Sequence, residues 1–98
     1  DAVLEDNVLI QYYVGIGHDM YVGRHSVVSS NVSVGGKTRI GQQTYIGLGA
    51  AIRDTLVIGD DTIVSMGAVV HQDVGDGVIV VGNPARVVRH NEKGSIFQ

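Results

Sequence analysis

His18 and Asp19 are the residues best suited to chemistry in this 98-residue chain. They sit in the run Ile16-Gly17-His18-Asp19-Met20-Tyr21-Val22-Gly23. An imidazole that titrates near neutrality is the commonest general base. A carboxylate beside it can fix the ring tautomer and raise its basicity. The chain has no cysteine, which excludes thiolate nucleophiles and disulfides. Spacing alone leaves two readings open: a general base, or a histidine that only occupies an exposed turn. His71 and His90 read as surface residues. Arg53-Asp54 and Asp60-Asp61 read as solvated turn charges, whose local salt bridges contribute little.

Something regular must hold these residues, and the regularity is a period of six. Leu4, Ile10, Ile16, Val22, Val28, Val34, Ile40, Ile46, Ile52, Ile58, Val64 and Val70 stand six apart, and all twelve are aliphatic. Four places after each comes a small or apolar residue, from Val8 and Val14 through Ser26, Thr38, Thr44 and Ala50 to Val74. Glycine follows the aliphatic at 17, 23, 35, 41, 47 and 59. A helix repeats every ~3.6 residues and opposes this glycine and β-branched content. A short strand suits it. The aliphatic and the small residue two places before it point inward, and their neighbours point outward. His18, two places after Ile16, is therefore expected at the outer surface of a turn. Asn7, Asp19, Asn31, Gly49, Asp61, Gly67 and Asp73 fall in the turns, where φ is expected to be positive. Units of this kind bury their apolar side only by stacking, which predicts a parallel β-helix.

This repeat resembles that of the hexapeptide-repeat acyltransferases, whose fold is a left-handed parallel β-helix with three hexads in each triangular coil. The resemblance implies an all-β chain of about four coils, over 4–21, 22–39, 40–57 and 58–75. The left hand comes from the resemblance, since the usual crossover rule favours the right. Residues eighteen apart then share a column, stacked at about the 4.8 Å spacing of strands. One outward column reads Leu9, Val27, Tyr45, Ile63, and the turn column beside it Tyr12, Ser30, Leu48, Met66. Apolar surface this continuous marks an interface or a ligand groove. Residues 1–75 are expected to form the β-helix and 76–98 a C-terminal strand and capping tail. Val78-Ile79-Val80-Val81 reads as the strand. The polar tail from Arg89 to Gln98 is read as a cap, either a short helix or an extended arm.

The run around His18 is also similar to the motif of the NeuD-like bacterial sugar acetyltransferases, which act on sialic acids and amino-sugars. Ser29 to Gly36, Tyr45 to Asp54, Gly67-Ala68-Val69-Val70 and Gly82-Asn83-Pro84-Ala85-Arg86 look like the same group. The resemblance implies that His18 is the general base and Asp19 its tuning partner. It implies acetyl-CoA as co-substrate, lying in a groove between subunits of a homotrimer, and a sugar or nucleotide-sugar acceptor. Cofactor contact is expected at Leu48, Met66, Gly47, Gly67 and Gly82. The glycines also read as residues that only shape turns. Two departures stand out. Val27 occupies the position of a second histidine found in relatives, with His25 the nearest substitute. The N-terminal nucleotide-sugar domain of those relatives has no counterpart in this chain, which holds no G-x-G-x-x-G unit. These departures favour a competing reading, a non-catalytic hexapeptide-repeat structural or interaction module.

Charge and composition narrow the partners. A net charge of −3 makes no electrostatic case for nucleic acid or an anionic membrane. No apolar run approaches the ~20 residues of a membrane span. The acidic start, Asp1, Glu5 and Asp6, does not read as a signal peptide. The absence of cysteine permits a reducing compartment, and a cytoplasmic protein is expected. A zinc site of three histidines, as in related β-helix carbonic anhydrases, is not expected, because no two of His18, His25 and His71 share a column. The chain opens without Met and almost in register, as a piece of a longer protein would.

Overall fold

The computed structural model describes residues 2–90, and it is built from strands of two residues repeated every six. Three parallel stacks result. The first face carries β1 (Val3–Leu4), β4 (Tyr21–Val22), β7 (Arg39–Ile40) and β10 (Val57–Ile58). The second carries β2 (Leu9–Ile10), β5 (Val27–Val28), β8 (Tyr45–Ile46) and β11 (Ile63–Val64). The third carries β3 (Gly15–Ile16), β6 (Ser33–Val34), β9 (Ala51–Ile52) and β12 (Val69–Val70). Partners within each stack are eighteen residues apart, as in Val27 with Tyr45 and Val22 with Ile40. The chain is thus an all-β parallel β-helix of about four three-sided coils. No helix among the described residues is long and apolar enough to cross a membrane.

The inward positions fill the interior. Val22, Val28, Ile40, Ile46, Val64 and Ala68 are fully buried. The first coil, at the end of the described stack, is more open: Leu4 and Ile16 are 46% and 39% exposed. Four inward positions are polar, and each finds an acceptor; the Thr38 hydroxyl donates to the Arg53 carbonyl at 3.2 Å. The hydroxyls of Ser26, Thr44 and Thr62 donate to the carbonyls of Gly41, Gly59 and Gly75, at 2.6, 2.7 and 2.8 Å. The hydroxyl column ties each coil to the next from inside, and buried hydroxyls left without partners would be costly.

Turns obey one rule. The residue three places after each aliphatic takes positive φ, near +60°, from Asn7 through Asp61, with Gly49 and Gly67 at +71°. The positions read as turns from their Asn, Asp and Gly are joined by Tyr13, His25, Lys37, Gln43 and Thr55, so the repeat imposes this conformation on side chains that resist it. Thr55, β-branched and at φ 60°, is the most strained of them. Thr55→Asn is expected to raise stability by about 1 kcal/mol. In a domain of this size that is roughly 4–8 °C in thermal midpoint. Calorimetry of the two chains checks it.

Asp73 departs from the rule, because the register shortens there: Val74 bridges Ile58 sixteen residues back. The next strand, β13 (Val78–Val81), continues the second face by pairing Ile79 with Ile63 and Val80 with Val64. Strand β14 (Arg86–His90) then runs antiparallel to β13, and its last two residues, Arg89 and His90, begin the segment read as a cap. Arg86-Val87-Val88-Arg89-His90 is exposed throughout, and its charged side chains suit an edge strand. Residues 91–98 of the expected tail lie outside the described residues.

Candidate active site

Three corners join the faces, and His18 and Asp19 occupy the one between the third and first faces, in the lowest coil. Positive φ at Asp19 turns the chain sharply, and its Oδ2 lies 3.0 Å from His18 Nδ1. Both side chains are open to solvent, 76% and 56% exposed. The Asp19 carboxyl lies below its ordinary value, with the His18 hydrogen bond among the causes. An ionised carboxylate only accepts. The neutral ring therefore carries its proton on Nδ1, donated to Asp19, and keeps the Nε2 lone pair free.

Above His18 in its column stands Gly36. A Cβ there would lie 3.7 Å from His18 Nε2 and Cδ2, so the glycine leaves the reactive nitrogen uncovered. The Gly36 carbonyl accepts from the Thr55 N–H at 2.9 Å, while its own N–H makes no hydrogen bond among the described residues. The equivalent N–H groups, of Gln42 and Asp60, donate to the coil above. Gly36 was not singled out from sequence as a site residue. The signal was the eighteen-residue column itself, which places 36 directly on 18. Glycines 17 and 35 have a different reason. A Cβ on either would collide with the backbone of the coil above, at Gly36 and Asp54.

The positions expected to touch cofactor lie elsewhere. Leu48 and Met66 share a column on the corner between the second and third faces, 48% and 73% exposed, and the Gly67 N–H donates to the Leu48 carbonyl at 2.8 Å. Gly47 is tightly packed, since a Cβ would stand 2.6 Å from the Met66 nitrogen. Gly67, at φ +71°, has open space around it. Gly82, at φ +94°, accepts from the Val69 N–H at 2.9 Å. Leu48, Met66, Gly47 and Gly67 are therefore one cluster. It is separated from His18 by the width of the third face and by two coils at Leu48 and three at Met66, so one chain does not bring the two groups together. The apolar column beside the cluster runs Leu9, Val27, Tyr45, Ile63 as read, and continues to Ile79. Only Leu9 in it is largely exposed, and Tyr45 folds its hydroxyl onto Ser29 at 3.0 Å. His25, His71 and His90 are exposed on other parts of the prism. Among the described residues, no three His, Cys, Asp or Glu side chains are arranged to hold a metal ion.

No family model and no curated protein matches this chain. Solved structures do. Soybean serine acetyltransferase is similar at 32% identity and a TM-score of 0.81, over 89% of this chain and 40% of that one. Serine acetyltransferase from Brucella abortus is similar at 25% identity and a TM-score of 0.86, over 93% of this chain and 41% of that one. The acetyltransferase domain of PglB from Neisseria gonorrhoeae, solved with acetyl coenzyme A, is similar at 27% identity and a TM-score of 0.77, over 89% of this chain and 48% of that one. The structural neighbours are thus hexapeptide-repeat acetyltransferases, and this chain spans less than half of each of these three.

Proposed function

We propose that this β-helix is the acetyl-transfer unit of an acetyl-CoA-dependent O- or N-acetyltransferase of the NeuD-like sugar group, working as a homotrimer in the cytoplasm. Residues 1–75 form the catalytic β-helix in this reading, and 76–98 close its end. The observation that carries it is the His18 ring, oriented by Asp19 through Nδ1, with Nε2 left uncovered by the glycine at 36. His18 Nε2 takes the proton from an acceptor hydroxyl or amine as that group attacks the thioester carbonyl. The new C–O or C–N bond leaves a tetrahedral oxyanion, for which backbone N–H groups of the turns are the donors in this reading. Collapse breaks the C–S bond, and the protonated His18 returns its proton to the departing thiolate. No protein nucleophile enters.

The separation of the two residue clusters supports the trimer. Leu48, Met66, Gly47, Gly67 and Gly82 of one copy would line the pantetheine groove that faces His18 of the next. The acceptor is a sugar or nucleotide-sugar in this reading. Thermal melting with CoA and acetyl-CoA tests the cofactor. Ligand held only by the folded state at 100 times its Kd adds about 2.7 kcal/mol, on the order of 10 °C in midpoint here. An unchanged midpoint at saturating CoA would favour the non-catalytic scaffold, the reading to which Val27 lends weight.

A further inference from the structure

A trough of about 490 Å³ runs along the first face and onto the corner between the first and second faces, away from His18. Its middle coils present Arg24 and Arg39. The Arg39 guanidinium lies over the Tyr21 ring, 4.3 Å from the centroid. Neither arginine makes an ion pair among the described residues, in a chain of net charge −3. Acids are present, but those at the upper end are engaged. Asp60 Oδ1 accepts from the Gln42 N–H at 2.9 Å, and Asp76 Oδ1 accepts from the Asp60 N–H at 2.8 Å. Glycine at 41 and 59 makes room for these carboxylates, since a Cβ at either would strike them. The carboxylates of Asp60 and Asp76 are thus drawn onto the backbone and Glu5 lines the lower end, while the two guanidinium groups make no ion pair among the described residues.

We propose that this trough binds a phosphoryl group, with Arg24 and Arg39 as its donors and Tyr21 holding the Arg39 plane in position. Planar guanidinium groups suit phosphate because two parallel N–H donors meet two oxygens. Stacking on Tyr21 pre-organises one of them. The phosphoryl group comes either from CoA or from the diphosphate of a nucleotide-sugar. Phosphate binding itself does not depend on His18 being a base.

Titration calorimetry with inorganic pyrophosphate tests the site on the unmodified chain, on Arg24→Ala/Arg39→Ala and on Arg39→Lys. Saturable binding that weakens at least tenfold in the double variant, with an intermediate loss for Arg39→Lys, is expected. No saturable binding at millimolar pyrophosphate, or binding unchanged in the double variant, overturns the proposal. Repeating the titration with CoA and with a nucleoside diphosphate identifies the source. A loss in CoA binding matching the pyrophosphate loss assigns the site to the donor. A loss only for the nucleoside diphosphate assigns it to the acceptor. Both arginines are exposed, so the double variant should keep its thermal midpoint, and a melt of the variant checks that its fold is intact.

Discussion

Replacing His18 with alanine should lower acetyl transfer by about 10²- to 10⁴-fold, the range a positioned general base contributes. The side chain is 76% exposed and bonded only to Asp19 Oδ2, so the fold loses almost nothing, within about 0.5 kcal/mol. The two readouts must therefore separate: turnover falls and thermal midpoint does not. Asp19→Asn should lower the rate by less. An amide can still face the ring, but it cannot stabilise the imidazolium that forms as the proton arrives. Equal turnover in the His18→Ala chain would remove the imidazole from its role, whatever the neighbouring acetyltransferases do.

Ile46→Ala is the substitution expected to damage the fold most. Ile46 is 0% exposed, in the middle of its stack between Val28 and Val64, which are also fully buried. Truncating a fully buried isoleucine costs about 2–5 kcal/mol, from lost transfer energy and the cavity left behind. The coils above and below are pinned by ladder bonds, such as Tyr45 N–H to Thr62 O and Val27 N–H to Thr44 O, both 2.9 Å. That limits collapse into the gap and places the cost toward the upper end of the range. A whole domain holds only about 5–15 kcal/mol. Urea unfolding should show a midpoint shift of that size, whereas Leu4→Ala, at a half-open position of the lowest coil, should cost far less. Equal losses at the two positions would mean that the interior is not the continuous stack described.

Most of this architecture was legible because the repeat has one period and one chirality of turn. Every aliphatic from Leu4 to Val70 ends a two-residue strand, and the Val78–Val81 strand lies where its composition placed it. What composition could not reveal was how firmly the coil dictates the backbone. Lys37, Gln43 and Thr55 take positive φ although their side chains give no hint of it, because stacking outweighs local preference. The antiparallel return of Arg86–His90 was also hidden. Only Arg89 and His90 of it fall in the segment read as tail, and an edge strand is where charged side chains are tolerated. At the candidate site the His18 and Asp19 contact was foreseen as a requirement and is met at 3.0 Å. Gly36 was missed, because a glycine beside a glycine draws attention only once columns are read upward from the imidazole.

A crystal structure of the chain with bound CoA would bear most directly on acetyl transfer at this corner. The thiol should lie in a groove between two copies, next to His18 Nε2 of one and against Leu48 and Met66 of the other. A thiol bound away from every His18 in the assembly, or copies whose contacts leave that corner facing bulk solvent, would show that the imidazole does no chemistry here.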